Sequence, residues 1–411
     1  MKTYYGTQTK QALENFPFKV PSVSLDLIYA ITEIKKASAL SHGKMGELDT
    51  NITSPIVTAC DEILSGKHDD QFPVSSLQGG AGTSINMNVN EVIAQRASEI
   101  SGITIHPNDH VNRSQSTNDV NPTALRIVAL RLSQNLIDEL HLLSTELSLK
   151  EKAYKSVPKL ARTHMQDAIP TTVGAEIGAW RATIDRDIRR LSEFLPYLRE
   201  LHIGGTAIGN CLNASGKYQK EIFVQLNILL KEWGPFTPAP NFHSFTSTTS
   251  DFVHLQNLIT LSSGNLSKIA HDIRFLSSGP RGGIGEYRLA PLQPGSSIMP
   301  GKVNPVIPEV MNQIYYHISG KNLAVQMANE TSDLQLAVMF PTVADALITS
   351  FSILTTGVHQ FSQRCIKLMK INEKQCHANL EKTTATATAL TLKLGYDAVA
   401  EMVKKEIEKK A

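Results

Sequence analysis

Apolar residues in the middle of the chain fall three and four positions apart over unusually long stretches. After Pro122, the run Leu125, Val128, Leu132, Leu136, Leu140, Leu143 and Leu147 marks one face of a helix. It predicts a helix of about 26 residues, about 40 Å long. A second run, Val173, Ile177, Trp180, Ile184, Ile188, Leu191, Leu195 and Leu198, predicts another, and Leu255, Leu258, Ile259, Leu266, Ile269 and Ile273 predict a third. Further helices are expected at 306–328 and 341–369. Helices of this length exceed the ordinary mean of about 11 residues, so several in one region imply a bundle. Alternating, strand-like patterns are almost absent. The expected fold class is therefore mostly α.

Phe252, Val253 and Leu261 on the third helix, and Leu347, Ile348, Phe351, Ile353 and Leu354 on the last, spread apolar character around the helix. Such helices must be covered on all sides, either by a thick core within one chain or by helices of other subunits, which we favour. Between the helices lie polar segments at 78–90, 106–121, 161–167, 203–213 and 277–304, of which 78–90, 203–213 and 277–304 are glycine-rich. The final VKKEIEKK reads as a short charged helix with a solvated face.

Composition narrows the class. Forty Lys plus Arg against 38 Asp plus Glu give a net charge of +2, which argues against a nucleic-acid or anionic-membrane footprint and leaves a small molecule or a protein as the expected partner. Cys60, Cys211, Cys365 and Cys376 stand far apart with no metal-ligand spacing, so no disulfide framework or zinc site is expected. A cytoplasmic, reducing location fits. The uncharged stretch 346–363 is interrupted by hydroxyls, His359 and Gln360, and reads as a buried helix rather than a membrane span. The N-terminal sequence lacks the pattern of a secretory signal.

The most informative segment is Gly295-Ser-Ser-Ile-Met-Pro-Gly-Lys-Val-Asn-Pro305. Two glycines and two prolines prevent an ordinary helix there. The resulting loop gathers hydroxyls, backbone N–H groups, an ammonium and a carboxamide, a set suited to gripping a carboxylate while a proton is moved.

Gly295, Ser296, Met299, Lys302 and Asn304 fit the GSxxMxxKxN signature of the aspartase/fumarase superfamily. The resemblance continues in order through GGAGTSINMNVNE at 79–91, HPNDHVNRSQSTND at 106–119, RTHMQDAIP at 162–170, GGTAIG at 204–209 and SSGPRGG at 277–283. The superfamily implies a mostly helical homotetramer with a long central bundle and active sites shared among three subunits. It also implies a small dicarboxylate substrate, no organic cofactor and a reversible anti elimination that yields fumarate. By this resemblance Ser296, as an oxyanion, is the general base. Each unit of depression in its pKa requires about 1.4 kcal/mol of preferential stabilisation of the anion. Lys302 and Asn304 would hold the carboxylate beside the departing proton. His164 would reach the substrate from another subunit and pair with Glu309, with Thr163 as a hydroxyl donor and Gln166 and Asp167 as supports. Thr83, Ser84, Ser116, Thr117 and Asn118 would bind the distal carboxylate and the leaving group, Thr117 and Asn118 nearest the latter. Read without the resemblance, Ser116, Thr117 and Asp119 are helix caps, a role compatible with anion binding.

Within the superfamily, GAGTS at 80–84, Ser114-Gln-Ser-Thr-Asn-Asp119, Asn304-Pro-Val-Ile-Pro-Glu309 and DLQLAVM at 333–339 look more like aspartases than class II fumarases. The expected reaction is ammonia loss from L-aspartate; water loss from L-malate is the alternative, and a non-catalytic binding relative a further one. Ala337 and Phe340 depart from the usual pattern, in which asparagine and a charged residue stand there. No metal-binding spacing is present, so a divalent cation is expected at most as an activator. The expected division is 1–118 as an N-terminal, mainly helical domain, 119–370 as the central bundle with the 295–305 loop, and 371–411 as a shortened C-terminal helical domain.

Overall fold

The computed structural model describes residues 2–410. In chain order its helices are α1 Thr7–Asn15, α2 Leu25–Lys44, α3 Thr50–Leu64, α4 Thr83–Ser101, α5 Thr117–Ala153, α6 Val173–Leu198, α7 Gly216–Leu229, α8 Phe242–Ser247, α9 Ser250–Leu276, α10 Val306–Glu330, α11 Phe340–Gln360, α12 Glu373–Glu381, α13 Thr391–Leu394 and α14 Tyr396–Lys410. The mostly α expectation is met. Two compact units form, one from 1–135, 191–260 and 317–352, the other from 136–190, 261–316 and 353–411, and each of the five long helices α5, α6, α9, α10 and α11 carries the chain from one unit into the other.

In the first unit α2 packs on α3, α4 and α7. Their contact faces are fully buried at Ile28, Ile31, Ile34, Ile56, Ile63, Val89, Ile93 and Ile222. The start of α1 is fixed by the Glu91 carboxylate on α4, which accepts from Gly6 N, Gln8 N and Thr9 N at 2.8, 2.8 and 3.1 Å and so fills the role of an N-cap. In the second unit Leu140, Leu143, Leu147, Ile177, Ile184, Leu266, Ile269 and Val358 are buried.

Helix α5 is longer than the periodicity predicts, because Ser116 rather than Pro122 sets its start. Ser116 Oγ accepts from Asn118 N at 3.2 Å, and the Asp119 carboxylate reaches back to Ser116 N at 2.9 Å, which is a capping box with aspartate in the acceptor role. Helix α11 ends at Gln360 and widens into a π-type turn at Phe361–Ile366, so the stretch expected at 341–369 is not one regular helix. Most of its apolar residues, including Leu347, Phe351 and Leu354, are buried.

Strands β1 Pro158–Thr163 and β2 Gln166–Thr172 form an antiparallel hairpin where a polar segment between helices is expected at 161–167. The turn is His164-Met165, between paired Thr163 and Gln166, and both residues have φ near +55° (53° and 60°), as a two-residue hairpin turn requires. Among the described residues no helix is long and apolar enough to cross a membrane.

Candidate active site

The first unit assembles the 80–84 and 116–118 segments. Gly80, Ala81 and Gly82 have φ of 78°, 55° and 79°, a tight turn that delivers Thr83 to the start of α4. At Gly82 a Cβ would stand 2.6 Å from Asn121 Nδ2, and Asn121 Nδ2 donates to Gly82 O at 2.9 Å. Asn86 Nδ2 lies 3.3 Å from Thr117 Oγ1. Ala81, Thr117, Asn118, Thr246, Ala337 and Phe340 line one small cavity. The two departures from the family pattern thus sit beside candidate substrate contacts. Phe340 is buried and packs beside Gly82, which replaces charge with an apolar wall. Thr83 is exposed and its hydroxyl donates to Gly80 O at 2.8 Å; Ser84 is half-buried at the same helix start.

Ser116 and Thr117 open α5, a helix of 37 residues. The capping role predicted for Ser116 is observed. Its oxygen accepts from Asn118 N, so its hydroxyl hydrogen remains able to donate to a carboxylate at a helix N-terminus. Asn118 Nδ2 donates to Ala207 O at 2.7 Å, and among the described residues no donor is bonded to Asn118 Oδ1.

Asp119, visible in the sequence only as a cap, and two residues outside the motifs, Lys35 and His202, hold this turn in place. Asp119 is fully buried and accepts from Gly204 N and Thr206 N at 3.0 and 2.9 Å, in addition to Ser116 N. Burial pushes its carboxyl up to about 6, against those amides and the Lys35 charge. Lys35 is equally buried, donates to Asn112 Oδ1 at 2.7 Å and is lowered to about 7 by desolvation. His202, also buried, places Nε2 at 3.1 Å from Asn118 O. That carbonyl is available because its normal helical partner would be the N–H of residue 122, which is proline. Burial, then the nearby Arg126 charge, lowers His202 to about 3, so the ring is neutral and Nε2–H donates.

In the second unit the 295–305 loop closes on itself. Asn304 Nδ2 donates to Gly295 O at 2.7 Å, and a Cβ on Gly295 would meet Lys302 O at 2.0 Å. Gly301 has φ +80°. Ser296 Oγ accepts from Ile298 N at 3.2 Å and Met299 N at 3.1 Å, a small nest that favours negative charge on oxygen. Lys302 is exposed, Glu309 is half-buried in the first turn of α10, and Thr163 and His164 are exposed at the hairpin. Among the described residues no ion pair joins His164 to Glu309.

The root of that hairpin is buried and ionic. Arg162 Nη2 and Asn379 Nδ2 both lie 2.9 Å from Glu286 Oε1, and Lys159 Nζ stands 3.2 Å from Glu286 Oε2 and 2.8 Å from Glu176. Tyr287 donates to Glu176 at 2.6 Å. Apart from Arg162, which opens the RTHMQDAIP block, sequence motifs give no sign of this network, since its members are single residues scattered over 159–379.

A family model described as Lyase matches residues 1–320. The chain belongs to this lyase family. The lyase is 40% identical over 410 residues to the aspartate ammonia-lyase of Bacillus subtilis (strain 168), covering 98% of this chain and 86% of that one. It is 38% identical over 408 residues to a class II fumarate hydratase of Halalkalibacterium halodurans, covering 98% and 88%. The crystal structure of class II fumarase from Schistosoma mansoni matches the lyase with a TM-score of 0.96 at 32% identity, over 100% of this chain and 90% of that chain. The lyase therefore has the fumarase-type fold, as the resemblance implied.

Proposed function

We propose that this lyase is an aspartate ammonia-lyase, which removes ammonia from L-aspartate reversibly to give fumarate. The observation that carries the choice is the orientation of Asn118. With Nδ2 committed to Ala207 O at 2.7 Å, the amide presents Oδ1, an acceptor, to its surroundings at the start of α5. An ammonium leaving group has only donors, so an oriented acceptor suits it. The four sequence blocks that favour aspartases point the same way. The class II fumarase likeness in fold and sequence supports L-malate dehydration as the second reading.

In the proposed reaction Ser296, as the alkoxide, takes the C3 proton. The C–H electron pair moves into the adjacent carboxylate and forms an enediolate, which then collapses to the C2–C3 double bond as the C2–N bond breaks and ammonia departs. The two loop amides on Ser296 Oγ favour the alkoxide over the hydroxyl, and Lys302 adds positive charge within the same loop. Lys302 and the second N–H of Asn304 would meet the doubly charged carboxylate, where stabilisation that grows with charge accelerates the step. Ser116, Thr117 and Thr83 would hold the distal carboxylate. His164, with Thr163 beside it and Glu309 as its carboxylate partner, would contact substrate across a subunit boundary.

We also read the enzyme as a cytoplasmic homotetramer that needs no organic cofactor. Tyr316, Leu323 and Met327 on α10, Leu261 on α9 and Met165 at the hairpin turn are exposed in the single chain, and burying such residues against other copies is the physical reason to assemble. Release of ammonia and fumarate in equal amounts from L-aspartate tests the proposal. Absence of both products rejects it.

A further inference from the structure

We propose that Asp119 is a positioning residue for the distal-carboxylate and leaving-group subsite, setting the 116–118 turn against the 202–207 loop. The inference rests on the reading of Ser116, Thr117 and Asn118 as substrate contacts.

Four hydrogen bonds cross between these two segments of the first unit. His202 Nε2 meets Asn118 O at 3.1 Å, Asn118 Nδ2 meets Ala207 O at 2.7 Å, and Gly204 N and Thr206 N meet Asp119 Oδ2 at 3.0 and 2.9 Å. Two of the four end on one carboxylate oxygen. The other oxygen, Oδ1, takes Ser116 N at 2.9 Å, so the single side chain grips both segments at once. The 202–207 loop is shaped for it, with φ of 86° at Gly204 and 57° at Thr206.

A carboxylate suits this task because all its lone pairs accept. Asparagine at 119 has one acceptor oxygen for two opposite sets of N–H groups. Whichever side the oxygen faces, the amide nitrogen meets backbone donors on the other. The turn or the loop must then move. Asn118, whose backbone carbonyl and side chain both bond the same loop, moves with it.

The competing account is that Asp119 only balances the buried charge of Lys35. The two accounts separate in Asp119→Asn combined with Lys35→Met. Asp119→Asn alone leaves Lys35 buried without a counter-charge, and it is expected to lower Tm and to raise KM at least tenfold for the substrate turned over. The double variant removes the stranded charge. If Asp119 positions the subsite, Tm recovers towards that of the unaltered enzyme while KM stays raised. Recovery of both overturns the inference. Where the asparagine variants do not fold, Asp119→Glu keeps the charge but shifts its oxygens by one methylene. Native Tm with raised KM then supports the inference, and native KM overturns it. Ser116→Ala and Asn118→Ala provide the control: unchanged KM in both rejects the subsite reading itself, whereas raised KM in them with native KM in the Asp119 variants rejects only the positioning role.

Discussion

Replacing Glu286 by glutamine should loosen the hairpin that carries Thr163 and His164. Glu286 is fully buried, and it holds Arg162 and Asn379 on one oxygen and the buried Lys159 on the other. Glutamine keeps the acceptor for Arg162 and Asn379 but turns an amide N–H₂ towards the Lys159 ammonium, a contact of donor with donor. Breaking one member of a buried ionic set costs about 3–5 kcal/mol. With an unfolding entropy of about 2.1 cal/mol/K per residue, a chain of this size that melts cooperatively should lose about 3–6 °C in Tm. Lys159→Met in the same chain removes the donor–donor contact and should restore part of the loss, because the pair is coupled, while the broken Lys159–Glu176 pair keeps the recovery incomplete. The pH dependence has a defined sign. Burial alone would raise the Glu286 carboxyl, but Arg162, Lys159 and Asn379 outweigh it and hold the group below its ordinary value of 4.5. Its contribution is therefore complete above that value and is lost as pH falls through the depressed one. Glu286→Gln should remove that part of the acid sensitivity. Turnover should fall about tenfold or more, since Arg162 adjoins Thr163 and small displacements of a contact group are costly. Differential scanning fluorimetry across pH, with steady-state rates, measures all three. A Tm within about 1 °C of the unaltered enzyme and an unchanged acid limb would refute the reasoning.

Ser296→Ala should nearly abolish turnover while Tm and fumarate binding, read by calorimetry, stay close to native; retained turnover removes Ser296 as the base. Gly295→Ala should cut kcat steeply with little loss of Tm, because the new Cβ would fall 2.0 Å from Lys302 O and must open an exposed loop; full activity shows that the closed loop is dispensable. Asn118→Asp, which also offers acceptor oxygens but loses the donor to Ala207 O, should raise KM for L-aspartate, and an unchanged KM counts against the oriented amide.

The long helices were legible because their burial repeats every three or four residues, and α6 begins and ends at the residues its apolar run marks. The start of α5 was less so: Pro122 looks like a boundary, but Ser116 and Asp119 supply the cap and the helix absorbs the proline, whose missing N–H leaves Asn118 O for His202. The hairpin escaped because 158–172 is short, polar and exposed at its tip, with apolar side chains at Met165 and Ile169 facing out, which breaks the alternation by which strands are read. Of the site, the motifs marked the residues proposed to touch substrate. They did not mark Lys35, His202 or Glu286, and Asp119 was visible only as a cap, because these act through burial and backbone contacts between distant segments.

The most direct test of the account is the rate of fumarate formation, followed by its ultraviolet absorbance, from L-aspartate and from L-malate in parallel with the same preparation. Turnover of L-aspartate, lost in Ser296→Ala, is the predicted result. Turnover of L-malate without turnover of L-aspartate would contradict it and make the enzyme a fumarate hydratase.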